Sequence, residues 1–222
     1  MIQFNNVTKS YMTLTGRKVV FRDLSFEVAD YVNIGLIGRN GAGKSTMMRL
    51  LSIADLPDSG EIVTQGRLSW PVGLRGGLQK NLTGRENVKL VCRIQGIRRD
   101  EMRKKLRYVQ DFADIGDKFE LPVSTYSSGM VARLAFGTSM AFDFDYYLID
   151  EVMAVGDAAF KRKSREVFDE RLKQAKVILV SHNMRLIRKM SDVIVHLHDG
   201  EAKIYKDVDR GIAAYQAVGG ER

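Results

Sequence analysis

A single cysteine, Cys92, in 222 residues leaves no partner for an internal disulfide and fits a reducing compartment. Proline is also scarce, at three residues, and no low-complexity tract or solenoid-length repeat is present. The opening "MIQFNNVTKS" lacks the charged start and apolar run of a secretory signal. No apolar stretch approaches the roughly 20 residues that cross a bilayer. Together these absences exclude a disulfide-stapled secreted scaffold, a repeat array and a membrane-spanning helix. They point to a cytoplasmic globular chain with one sizeable core, or one core and a smaller lobe.

Charge is unevenly spread. The formal net charge of +8 gathers in "RIQGIRRDEMRKKLR" (93–107) and "KRKSREVFDERLKQAK" (161–176). Two solvated helix faces account for such runs, and attraction to an anionic membrane surface or polymer is the second reading. Neither zinc-finger spacing nor an RNA-recognition aromatic signature is present, so a nucleic-acid partner is not expected.

Hydrophobic patterning predicts an α/β fold. "MIQFNNV" and "KVVFRDLSFEVAD" read as strands joined by a turn at Gly16. "VNIGLIG" has the near-continuous apolar character of a strand buried on both faces, and "KSTMMRLLSIA" continues it as a helix after a glycine-rich loop. Short strands in "GEIVTQGRLSW" precede a helical middle. There Val88, Val91 and Ile94, then Met102, Leu106, Val109 and Ala113, read as core-facing stripes. From "SSGMVARLAFGTSMAF" onward, helices alternate with the strands "DYYLID", "AKVILVSH" and "VIVHLHDG", the pattern of a parallel sheet. The helical middle, about 84–140, is thus expected as an insertion into that core, and "YKDVDRGIAAYQAVGGER" as one short helix with a frayed tail.

Gly38, Arg39, Asn40, Gly41, Ala42, Gly43, Lys44, Ser45 and Thr46 match G-x-x-x-x-G-K-[ST] in full. Average composition makes a chance match in a chain this long on the order of one in a hundred. The glycines let backbone N–H groups close around phosphate oxygens. Lys44 would reach the β- and γ-phosphates of a nucleoside triphosphate, and Ser45 would bind Mg²⁺. "YYLIDE" ends an apolar strand in Asp150, a second oxygen ligand for Mg²⁺ at the carboxyl edge of the sheet. Glu151 adds a carboxylate beyond what the metal needs, suited to orienting or deprotonating water; a helix N-terminal charge is the plainer alternative. His182, closing "VILVSH", is either structural or a γ-phosphate contact. His196 and His198 have no cysteine or carboxylate set around them and are not read as metal ligands.

A second anion-binding signature, "TYSSGMVARL", opens a helix at Ser127, Ser128 and Gly129. Phosphate loop, serine-glycine signature, Asp-Glu after a strand, and histidine, in that order, resemble the ATP-binding cassette family over essentially the whole chain. The resemblance implies a P-loop ATPase core with a parallel sheet, an N-terminal antiparallel β part and an inserted α-helical subdomain. All would form one nucleotide-binding domain over 1–222 that uses ATP and Mg²⁺. It implies that the signature of one copy caps the nucleotide of another in a head-to-tail dimer, so Ser127, Ser128 and Gly129 act in trans. Arg133 falls where the family keeps an arginine, and Asp157 in "AVGD" matches the segment passing between the two sites. Tyr11 falls where an aromatic stacks on adenine; a merely buried tyrosine is the alternative. The glutamine loop that touches Mg²⁺ and reports to a permease would be Gln79 or a residue around Leu74.

The form Tyr126-Ser127-Ser128-Gly129-Met130, with "TGREN" (83–87), "DEVMAVGDAAF" (150–160) and "SHN" (181–183), resembles ATPase subunits of polysaccharide exporters. "SWPVGLRGGLQKNLTGREN" resembles the capsular, polysialic-acid type, with no appended carbohydrate-binding domain as in O-antigen exporters or long extension as in teichoic-acid ones. The implied partners are an integral-membrane permease, a second copy of the chain and further envelope export components, at the cytoplasmic face of the inner membrane. A soluble cassette ATPase acting on DNA or ribosomes would carry a second cassette or a long coiled coil. A monomeric P-loop kinase would leave the signature and His182 without a use.

Overall fold

The computed structural model describes residues 1–14, 16–73, 77–150 and 157–219. It divides into two compact units. The first is Met1–Pro71, Phe144–Glu151 and Ala175–Arg222, and the second is Val72–Asp143 and Val152–Gln174.

The first unit holds two sheets. In one, β1 (Ile2–Thr13) pairs antiparallel with β2 (Gly16–Val28) and with β4 (Ser59–Thr64). The other has the order β5-β6-β3-β7-β8, built from β3 (Ile34–Gly38), β5 (Tyr146–Asp150), β6 (Lys176–Val180), β7 (Val193–His198) and β8 (Glu201–Tyr205). All its pairings are parallel except β7 with β8. β3 is central and buried at every position, as its apolar run requires. Helix α1 (Lys44–Leu51) turns Met47, Met48, Leu50 and Leu51 into a core with Phe4, Phe21, Leu36, Leu148 and Val180. Burying each such side chain contributes about 1.5–3 kcal/mol. Helices α6 (Met184–Met190) and α7 (Val208–Ala217) complete this unit.

The second unit contains α2 (Gly84–Ile94), α3 (Arg99–Ala113), α4 (Ser128–Met140) and α5 (Ala158–Leu172). It therefore includes α5, which the alternating pattern had grouped with the sheet. "TGREN" has a local physical basis. The Thr83 hydroxyl accepts from Glu86 N while the Glu86 carboxylate accepts from Thr83 N, a reciprocal capping box that starts α2. Asn87, fully buried, donates to the carbonyls of Gln79, Leu82 and Thr83 and accepts from Gln79 N, which pins the preceding turn. Phe112 stacks on Phe136 at 5.7 Å and meets Phe160 edge-on at 5.4 Å, joining α3, α4 and α5. The thiol of Cys92 is buried in this unit, and desolvation raises its pKa, the environment of an unreactive structural cysteine.

Of the stripe expected on α3, Leu106, Val109 and Ala113 are buried and Met102 is half-buried. That on α2 needs correction: Val88 is buried, but Ile94 is 72% exposed and Cys92 takes the inward position. Three-residue steps drift backwards by about 60° each on a helix of 3.6 residues per turn, so a third such residue leaves the buried face. The basic residues Arg99, Arg103, Lys104 and Arg107 of α3, and Lys161, Arg162 and Arg165 of α5, are exposed on the backs of their helices.

One glycine tests the packing of α7 on β7. A Cβ at Gly211 would lie 2.7 Å from Ile194 Cβ, too close to be relieved by a rotamer change. Gly211→Ala is expected to lower stability by about 1–3 kcal/mol in urea unfolding, despite the higher helix propensity of alanine.

Candidate functional site

The register of the parallel sheet brings the motif residues of the first unit to one edge. Leu36 of β3 pairs with Val180 of β6, and Val180 pairs with Asp150 of β5. The residues following this row therefore emerge together at the carboxyl ends: the glycine loop after Gly38, Asp150 itself, and His182 beyond Val180. This edge is where open α/β sheets hold ligands.

The loop closes through its own backbone. Lys44 Nζ donates to the carbonyls of Gly38 at 2.5 Å and Arg39 at 3.1 Å, while Ala42 N donates to Arg39 O at 3.0 Å. Gly41 and Gly43 have φ of +84° and +103°. At Gly43 a Cβ would lie 2.6 Å from the Phe21 ring, so the loop rests directly on β2. α1 begins at Lys44 with no side-chain cap, so its first backbone N–H groups and its positive dipole end lie at the loop, as an anion site requires.

A cavity of about 480 Å³ is lined by Tyr11, Thr13, Lys18, Val20, Asn40, Gly41, Gly43, Lys44, Ser45, Thr46, Asp150, Val180 and His182. It joins the phosphate loop, the strand-end aspartate, the histidine and the aromatic in one space. A larger cavity of about 740 Å³ shares Lys18, Val20, Asn40 and Gly41 with it but contains none of Lys44, Ser45, Asp150 or His182, so the motif side chains line the smaller one. The hydroxyl of Ser45 and the carboxylate of Asp150 are hard oxygen donors suited to Mg²⁺. The half-buried His182 is set by its neighbours: Ser181 Oγ accepts from Asn183 N at 3.0 Å, and Asn183 caps α6 through Arg185 N and Leu186 N.

Tyr11 is half-buried and tightly held. Its hydroxyl donates to Asp55 Oδ2 at 2.7 Å, and Lys9 Nζ donates to Asp55 Oδ1 at 2.7 Å. The bonds from Lys9 and Tyr11 hold the Asp55 pKa down at about 2. Asp55, Lys9, Lys18 and Phe21 went unnoticed in the sequence, because hairpin pairing and the exit from α1 bring them to the site and no local motif marks them.

Of the loop residues, Arg39 and Ala42 face the larger cavity, and Ser127, Ser128, Gly129, Arg133, Asp157 and Gln79 belong to the second unit. Ser127 is the N-cap of α4, its Oγ accepting from Met130 N at 3.3 Å, with Ser128 and Gly129 in the first turn. Asp157 caps α5 by accepting from Phe160 N, and its other oxygen accepts from Arg133 at 2.5 Å. These partners hold the Asp157 pKa below the usual carboxylate range, the Phe160 backbone bond first. Gln79 is exposed in the turn before α2. Glu151 and the region around Leu74 lie outside the described residues.

The family model described as ABC transporter matches residues 21–154. The chain is 51% identical to the polysialic acid transport ATP-binding protein KpsT of Escherichia coli, covering 97% of this chain and 99% of that protein. It is 39% identical to the capsule polysaccharide export ATP-binding protein CtrD of Neisseria meningitidis serogroup B, over 98% and 100% of the two chains. The fold is similar to the dimeric post-hydrolysis structure of the ATP-binding cassette MJ0796 bound to ADP and Pi, with a TM-score of 0.71 at 21% identity, covering 92% and 98%.

The strained loop offers a direct test. Gly43→Ala would force a side chain into the Phe21 ring at a left-handed φ. It is expected to weaken magnesium-ATP binding, measured by calorimetry, by at least about tenfold with the circular dichroism spectrum preserved.

Proposed function

The chain belongs to the ABC transporter family, and we propose that it is the ATP-hydrolysing subunit of an exporter that moves lipid-linked capsular polysaccharide across the inner membrane. The single observation that carries the ATPase reading is the cavity that joins the phosphate loop, Asp150, His182 and Tyr11. Full-length similarity to polysialic acid and capsule export ATP-binding proteins supports the choice of cargo class.

In this reading Gly38 to Thr46 hold the triphosphate, with Lys44 leaving its loop carbonyls for the β- and γ-oxygens. Ser45 and Asp150 would hold Mg²⁺, which would supply charge neutralisation at the phosphates. Glu151 orients and deprotonates the attacking water, His182 contacts the γ-phosphate and Tyr11 stacks on adenine. Ser127, Ser128 and Gly129 of a second copy complete the site across a head-to-tail dimer, with Asp157 in the segment between the two sites. Gln79 reports to an integral-membrane permease, which works with further envelope export components. No described helix is long and apolar enough to cross a membrane, and attachment at the cytoplasmic face comes through the permease. ATP favours the closed dimer and hydrolysis the open one, so nucleotide biases a two-state interface.

Glu151→Gln at unchanged expression is expected to leave polysaccharide in the cytoplasm and the cell surface bare, as read by fractionation of the native host. A normal surface coat would exclude the exporter assignment. The purified variant should run as a dimer with ATP and a monomer with ADP in size-exclusion chromatography.

The permease is proposed to dock over the basic α2–α3 region. Reversal of Arg98, Arg99 and Arg103 to Glu should then reduce co-purification with the permease while ATP binding is retained, and undiminished assembly would move the docking surface elsewhere.

A further inference from the structure

We infer that Asp55, outside every motif of the chain, is the positioning residue that fixes the Tyr11 ring at the base end of the nucleotide cavity; the inference rests on the reading of that cavity as an ATP site. Three side chains converge on its carboxylate. It accepts the Tyr11 hydroxyl at 2.7 Å on one oxygen and the Lys9 ammonium at 2.7 Å on the other. Lys9 also donates to Leu56 O at 2.7 Å, so its ammonium is held on both sides of the Asp55–Leu56 step. Arg49 of α1 approaches the Tyr11-bonded oxygen at 3.6 Å, and its guanidinium carbon lies 5.7 Å from the Tyr11 ring centroid, against 5.0 Å for Lys9 Nζ.

The cluster is built to hold still. The side chains of Lys9 and Asp55 are only 9% and 17% exposed, and an ion pair this sheltered keeps its geometry far better than a solvated one. The backbone of Asp55 is anchored in turn, because Ala54 N and Asp55 N both donate to Arg49 O, at 2.9 and 3.2 Å. Asp55 therefore joins a ring on β1 to the far end of α1, whose first turn carries Lys44 and Ser45. The distance between an aromatic that meets the base and the loop that meets the phosphates is a property of the nucleotide. A strap between the two protein groups presets it and reduces the ordering required on binding. With its pKa held at about 2, the carboxylate stays ionised at any physiological pH.

Asp55 could instead serve only as a counter-charge for the buried Lys9. That role would change stability but not discriminate between a ligand with a base and one without. Calorimetric titration with magnesium-ATP and with magnesium tripolyphosphate separates the two. Asp55→Ala is expected to weaken ATP binding about tenfold and to change tripolyphosphate binding by less than about twofold, the scale of one lost charge-assisted hydrogen bond. In a Tyr11→Phe background, Asp55→Ala should cost little more, since the shared bond is already gone. Equal losses for both ligands, no loss for either, or additive effects of the two substitutions would overturn the inference. Should Asp55→Ala fail to fold, Tyr11→Phe alone decides, and unchanged ATP affinity in that variant counts against the proposal. Tyr11→Ala tests the underlying reading separately. If it leaves the ratio of ATP to tripolyphosphate affinity intact, Tyr11 is not a base contact, whereas a changed ratio alongside an inert Asp55 removes only the strap.

Discussion

The hydrogen bonding of β3 to β6 on one side and β7 on the other is the constraint on which the first unit depends. A five-residue strand buried at all positions can meet its backbone needs only through both neighbours. Once that is met, the chain leaves β3 at Gly38 beside the carboxyl ends of β5 and β6. The left-handed glycines then return it into α1 within five residues. Glycine-rich loop, strand-end carboxylate and histidine are thus gathered by strand register, without any contact between them having to drive the fold.

Helix capping is the second organising device, and it recurs at the motif residues. Thr83, Ser127, Asp157 and Asn183 each accept a backbone N–H as the N-cap of a helix. A side chain that stabilises a helix end by about 1 kcal/mol also sets where that helix begins, so these motif residues stand at sharply defined points of the chain. Arg133 adds a cross-link of this kind, since its guanidinium pairs with the Asp157 cap and lies 4.9 Å from the Phe160 ring centroid. In the second unit, the start of α5 is thereby tied to α4, the helix that opens with the serine-glycine signature.

Much of the fold was legible because hydrophobic period and cap chemistry are local. The buried run of β3, the alternation of strands and helices after Ser128 and the Leu106, Val109 and Ala113 stripe of α3 stand where the pattern puts them. Ile94 was misplaced because three-residue spacing imitates a helical face only over short distances. β8 is not legible after the strand "VIVHLHDG", because "EAKIY" has few apolar residues and its pairing comes from the neighbouring strand. At the site, the phosphate loop and Asp150 were legible as motifs, whereas Asp55 and Lys9 were not. A carboxylate 44 residues from the tyrosine it holds leaves no trace in spacing.

By itself the sequence determined the chemistry on offer: a loop that can wrap phosphate, a carboxylate at a strand end, a serine-glycine helix start, and no long apolar run. The first three are short-range properties of side chain and backbone, so a stretch of under ten residues suffices to specify each. Only the tertiary structure decided which of these groups share a cavity and what braces them. Register across three parallel strands placed Asp150 and His182 beside Lys44, and the β1–β2 hairpin brought Tyr11 and Lys18 to the same space. The central pairings join Ile34 to Ile178 and to Val193, across most of the chain, and the order of residues does not encode such proximity.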